Sequence, residues 1–199
     1  NDYFDDHSNV EATDVTYLFE PYFPRGCITI LDGYPKIGKS FFSIWLSYLL
    51  TTGRTMGPYK PDGIGRVLMC AMEDDVDKTI KVRLDELGAD CDRIRYLTKP
   101  FTFTDKGVDV LRRELITHPA DLVIFDPIQS YLPSGVNMNS ATDMRHCLNP
   151  LVELAREFDV AVGVVRHFIK GFSDKAMLKG MGSIDLAAIA RSAMVFGKH

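Results

Sequence analysis

The chain has 199 residues, 46% of them hydrophobic and 25% charged, a soluble globular composition large enough for one substantial core. Lys and Arg total 23 against 27 Asp and Glu, a net charge of −4. There is therefore no overall basic footprint for nucleic acid, and any such contact must come from a local patch. Cys27, Cys70, Cys91 and Cys147 form no CxxC pair; with no apolar run of membrane-spanning length and no charged-then-apolar leader, the chain reads as cytoplasmic and without a membrane partner.

The chain opens on Asn1 rather than Met, so its natural N-terminus is expected to be absent. Residues 1–20 are polar and acidic and read as an N-terminal arm with little core of its own, ahead of a single domain over residues 21–199. Pro21, Pro24 and Gly26 punctuate the chain before the first strong strand, Cys27–Leu31. A turn-rich loop, Asp32–Lys39, leads into a helix from Ser40 to Leu50 whose apolar residues cover most of its surface, which predicts burial on more than one side. Gly53 stands where a helix stop belongs.

A second apolar strand runs from Arg66 to Met72 and ends at Glu73. Asp74 or Asp75 can cap the next helix, with Val76, Ile80, Leu84 and Leu87 on one face and Gly88 as its stop. Ile94–Leu97 is a third strand, and Thr104 caps a helix carrying Val108, Leu111, Leu115 and Ile116. Asp121–Asp126 is a continuously apolar fourth strand. A helix over 142–158 follows, with a kink or restart expected at Pro150. Val160–Val165 is a fifth strand, 168–183 a Gly/Lys-rich loop, then a short Ala-rich helix reaches Ala190, and Ser192–Phe196 is a last strand. Strands that alternate with helices and are apolar on both faces predict an α/β fold: a mainly parallel twisted sheet with helices on both faces.

Gly33-Tyr34-Pro35-Lys36-Ile37-Gly38-Lys39-Ser40 matches G-x-x-x-x-G-K-[ST]. Its glycines let the backbone wrap a phosphate with N–H groups aimed inward, and the helix that begins near Lys39 adds its positive end. Lys39 is expected to reach the β- and γ-phosphates and the Ser40 hydroxyl to ligate Mg²⁺; the adjoining Phe41 completes the expected ATP-binding stretch. Roughly one chain in a hundred of this length carries the pattern by accident. Its place between an apolar strand and a buried helix argues against accident here.

Ligands of open α/β sheets sit beyond the carboxyl ends of the strands. Asp126, in DLVIFDP, reads as the Walker B acid that supports Mg²⁺; its plainer reading is an Asp-Pro turn. Pro127 follows where a general base would otherwise stand, so the base must come from elsewhere. Glu73, in AMEDD, is the best candidate to activate water, or else a solvated carboxylate at a helix start. His167 ends the fifth strand, either as a γ-phosphate sensor or as a strand-end residue satisfied by a neighbour.

This ordered set resembles the RecA-like P-loop ATPases, in the branch of the RepA-type hexameric replicative helicases and related mobile-element ATPases. The likeness rests on ITILDGYPKIGKS, VLMCAMEDD, DLVIFDP, LNPLVELAREFDVAVGVVRHFIKG and GSIDLAAIARSAMVF, which together span about residues 25–197. It implies ATP and Mg²⁺ as cofactors, Glu73 as catalytic glutamate, His167 as sensor, and Arg191 as an arginine finger serving a neighbouring subunit. An ordinary ion pair is the plainer reading of Arg191. The resemblance also implies a homo-oligomeric ring, hexameric in that branch, with further C-terminal strands beyond this segment. Lys36 departs from the pattern, standing where many relatives have a small residue.

In such rings the loops after the fourth and fifth strands face the channel. Tyr131–Ser140 is polar with little charge. Phe168–Ser183 carries Lys170, Lys175 and Lys179 with Phe168 and Phe172, a set that can grip a phosphate backbone and stack a base, so single-stranded DNA is the expected partner of loop 168–183. The expected function is an ATP-hydrolysing motor on DNA, helicase-like or of the recombination and replication type. Its rivals are a small-molecule phosphotransferase, and an ATP-dependent switch or scaffold with little turnover.

Overall fold

The computed structural model describes residues 13–137, 140–167 and 189–197, together with residues 6, 8 and 11. Its centre is a sheet of β3 (Ile28–Gly33), β4 (Val67–Ala71), β5 (Ile94–Tyr96), β6 (Leu122–Asp126), β7 (Ala161–His167) and β8 (Ser192–Phe196), every pairing parallel. The order across the sheet is β5-β4-β6-β7-β3-β8. β3 therefore lies between β7 and β8, and β7 separates it from β6.

Successive side chains of a strand point to opposite faces, so continuously apolar strands need cover on both. On one face Ile28, Ile30, Val123, Phe125, Val162 and Val164 pack with Leu111 and Leu115 of α3 (Asp105–Thr117) and Leu148, Leu151 and Leu154 of α4 (Ala141–Glu157). On the other, Leu31, Met69, Leu122, Ile124 and Val165 pack with Ile44, Leu46, Leu49 and Leu50 of α1 (Lys39–Thr52) and Leu84 of α2 (Lys81–Leu87). The expected RecA-like α/β architecture with helices on both faces is what these two cores make.

Local signals explain most boundaries. Gly53, at φ 69°, closes α1 in the left-handed conformation, its N–H bonding back to Leu49 and Leu50. Of the two candidate caps for the second helix, Asp75 does the work: its side chain accepts from the N–H groups of Asp77 and Lys78. The helix opens there with a wide π-type turn, Val76–Ile80, before α2 proper. The Thr104 hydroxyl accepts from Gly107 N–H and caps α3 as expected. α4 runs without interruption through Pro150, so no restart occurs there.

One expectation fails at the start of the chain. Residues up to 20 were expected to contribute little core, yet β1 (Tyr17–Phe19) pairs antiparallel with β2 (Phe23–Pro24), and Leu18, Phe19 and Phe23 are fully buried against the α1 face. Two apolar side chains in a polar stretch give too short a periodic signal to register as an element. The Ala-rich helix expected up to Ala190 falls mostly outside the described residues. Among the described residues, no helix is long and apolar enough to cross a membrane.

Candidate active site

Parallel pairing brings the carboxyl ends of β4, β6, β7 and β3 to one rim, and that rim carries the expected residues. Pro35, Lys36, Gly38, Lys39, Ser40 and Phe41 line a cleft of about 450 Å³ together with Glu73, Asp74, Arg83, Asp126 and His167. Glu73 lies two residues past β4, Asp126 ends β6, His167 ends β7, and Gly33 ends β3.

The loop's shape follows from its glycines. A Cβ on Gly33 would lie 2.9 Å from the Phe196 carbonyl oxygen and 3.2 Å from Ile37 Cγ2, so only glycine lets β8 and the loop close on this point. Gly38, at φ 99°, turns the chain into α1 in a conformation that side chains rarely adopt. It offers no capping side chain, and the first helical bond is Phe42 N–H to the Gly38 carbonyl. The amides of Lys39, Ser40 and Phe41 thus lack intrahelical acceptors, at the positive end of the helix dipole.

Lys39 is buried, and its Nζ donates to the carbonyls of Gly33 and Tyr34, each at 2.7 Å. Burial pulls its ammonium below the ordinary lysine value, while the carboxylates of Asp126, Asp32 and Glu73 work against that. Ser40 and Asp126 line the same part of the cleft. Asp126 is only 8% exposed. Burial raises its pKa to about 6; Ser40 and Lys39 pull it down, and Asp74 and Glu73 push it further up. His167 Nε2 stands 3.6 Å from Glu73 Oε2, the carboxylate being open to solvent. Burial and the nearby Lys39 charge lower the His167 pKa below its ordinary 6.5, with Glu73 opposing, so the ring is neutral at pH 7.

Lys36 and Arg191 are placed differently from the rest of the expected set. Lys36 reaches the cleft from the exposed tip of the loop, with φ 63°, an uncommon left-handed geometry for a side-chain-bearing residue. Arg191 is exposed, and its N–H bonds the Ile28 carbonyl at the amino end of β8. Five residues of strand separate it from the level of Gly33, about 16 Å at 3.3 Å per residue. It does not line the cleft formed by the described residues. Loop 168–183 lies outside the described residues.

Three residues of the rim escaped the sequence reading. Arg83 of α2 lines the cleft, standing between Ile80 and Leu84 of the apolar pattern that marked that helix. Asp32 and Arg166, each a charged terminator of an apolar strand, form a buried pair, Arg166 Nε to Asp32 Oδ1 at 2.6 Å. Only the strand order reveals that they are neighbours.

A strand, a glycine-rich turn and an uncapped helix start, facing a buried carboxylate on a second strand, define a phosphate-loop nucleotide-binding domain. A family model described as an AAA domain matches residues 2–172, and the chain belongs to that family. No curated protein matches it.

The geometry also fits a magnesium nucleotide. The start of α1 offers uncapped amides, and the buried Lys39 ammonium lies under the loop on the Gly33 and Tyr34 carbonyls. Ser40 and Asp126 would offer hard oxygen atoms to Mg²⁺, which ordinarily takes its remaining ligands from phosphates and water.

Proposed function

We propose that the protein is a Mg²⁺-dependent ATP hydrolase that works as an oligomeric motor on DNA. The observation that carries the hydrolytic part is the convergence of Lys39, Ser40, Asp126, Glu73 and His167 in one cleft, from four separate segments of sequence. Backbone amides of the loop and Lys39 hold the β- and γ-phosphates. Ser40 and, through water, Asp126 would hold Mg²⁺, which neutralises charge across the phosphates.

Glu73 then accepts a proton from the attacking water. It is a solvent-open carboxylate that lines the cleft beside His167. The neutral imidazole of His167, beside Glu73, can donate to the γ-phosphate or accept from the attacking water without carrying a charge of its own. What supports the oligomer is the position of Arg191: a cation at the far end of the sheet can serve an active site only in a neighbouring chain. DNA as partner rests on the lysines and aromatics of 168–183 and on the likeness to RepA-type helicases.

The deciding experiment measures ATP hydrolysis with and without single-stranded DNA, for the wild type and Glu73→Gln. Mg²⁺-dependent turnover, raised by DNA and lost in the variant, is the expected result. Turnover that ignores DNA would remove the motor, turnover only with an added small-molecule acceptor would make this a phosphotransferase, and tight binding without turnover would make it a switch.

A further inference from the structure

We propose that Asp32 and Arg166 are a positioning pair that sets the phosphate loop against His167, a role that rests on the ATP-hydrolysing reading. The two residues are register partners on β3 and β7, and the next rung of the same ladder pairs Gly33 with His167. The last rung before the site is thus an ion pair, and the rung beyond it holds the start of the loop and the histidine.

The contact is a fork. Arg166 Nε meets Oδ1 at 2.6 Å, Nη2 bonds Oδ2, and the side chains are 7% and 1% exposed. By strand alternation they lie on the α3–α4 side of the sheet, in line with Ile28, Ile30, Val162 and Val164. Apolar side chains at these positions would continue the core at no desolvation cost, and exchanging a buried ion pair for apolar groups of similar volume is often neutral or stabilising. Cohesion alone therefore does not account for the pair. A planar guanidinium on two carboxylate oxygens fixes distance and relative angle between two strands, which apolar contacts do loosely.

The pair joins residues 134 positions apart in sequence, so no local turn could do the same. Beyond it, Gln129 Nε2 donates to the His167 carbonyl at 3.4 Å, holding the same strand end from the β6 side. Charge gives a second reason. Asp32 helps to keep the buried Lys39 ammonium charged, yet a bare carboxylate beneath an anion cradle would repel phosphate. Arg166 neutralises it in place.

The loop's own backbone makes the diphosphate cradle, whereas the γ-phosphate end depends on where His167 stands relative to Gly33 and Glu73. Loosening the pair should therefore affect the triphosphate and spare the diphosphate. The test compares the wild-type protein with Arg166→Lys and with the apolar double variant Asp32→Leu/Arg166→Met. Read-outs are folding by circular dichroism and melting, affinity for ADP, affinity for a non-hydrolysable ATP analogue with Mg²⁺, and kcat.

Expected in both variants are a melting temperature close to that of the wild type, ADP affinity within about threefold, and analogue affinity and kcat reduced about tenfold or more, the scale of one lost hydrogen-bonded contact to a charged group. Arg166→Lys keeps the charge without the fork and remains informative should the double variant not fold. A well-folded variant in which ADP and analogue affinities fall together, or neither falls, overturns the pairing role. A wild type that binds the analogue but never hydrolyses ATP sinks the parent reading alone, because the ratio of analogue to ADP affinity still tests the pair.

Discussion

Replacing Asp126 by Asn separates what this carboxylate costs the fold from what it does in the cleft. Burial raises its pKa from an ordinary 3.8 to about 6. Each factor of ten in acidity corresponds to about 1.4 kcal/mol, so keeping the group ionised in the folded chain costs about 3 kcal/mol. The sign follows from the direction of the shift. Below pH ~4 the group is protonated in both folded and unfolded chains and the cost vanishes; it grows as pH rises and is complete once pH exceeds the folded value near 6. Asn carries no charge at any pH, so at pH 8 the nucleotide-free Asp126→Asn protein should be the more stable by about 3 kcal/mol, or roughly 6–12 °C in melting temperature for a domain of this size. By pH 5 that advantage should fall to about half. Addition of Mg²⁺ and ATP should stabilise the wild type more than the variant, and the variant's turnover should drop at least about 100-fold if Asp126 supports the metal. Thermal melts at several pH values, with and without nucleotide, read all of this. A variant less stable than the wild type at pH 8, or an advantage that does not shrink on acidification, would refute the assignment of Asp126 as a charge held at the fold's expense.

Other substitutions probe the same rim. Lys39→Met should leave the nucleotide-free protein folded, because it removes a buried ammonium, but abolish the gain of about 2.7 kcal/mol that a ligand gives at about 100 times its Kd; melting with and without ADP checks this. Gly33→Ala forces a Cβ to within 2.9 Å of the Phe196 carbonyl and should destabilise by about 1–3 kcal/mol by prising β8 from the loop, while an unchanged denaturation midpoint would show that β8 yields freely. Lys36→Gly relieves a left-handed residue with φ 63° and should stabilise by about 1 kcal/mol; a loss of stability would mean that the Lys36 side chain holds the loop in place.

The strand ends were legible because each carries a chemical mark on an apolar run: Glu73 after VLMCAM, Asp126 after LVIF, His167 after VGVVR. Periodicity located those runs, and a parallel sheet brings their carboxyl ends to one side, so the site could be assembled before any coordinate. Lateral order was not legible. Nothing local in β7 says that it inserts between β6 and β3, since that choice is made by long-range packing. Asp32 and Arg166 vanished for the same reason: each looks like the polar end of a strand until the register sets them face to face. Leu18 and Phe19 were missed because a three-residue strand is too short to show a period. Arg191 stands between these cases. Its distance from its own cleft follows from the register of β8, and the proposed role in a neighbouring cleft needs a contact beyond one chain.

β7 and β8 are the two flanks of β3. Both flanks end level with Gly33 at the nucleotide rim, His167 on one side and Phe196 on the other. A displacement of either flank along its own axis would therefore reach the start of the phosphate loop through the ladder on that side.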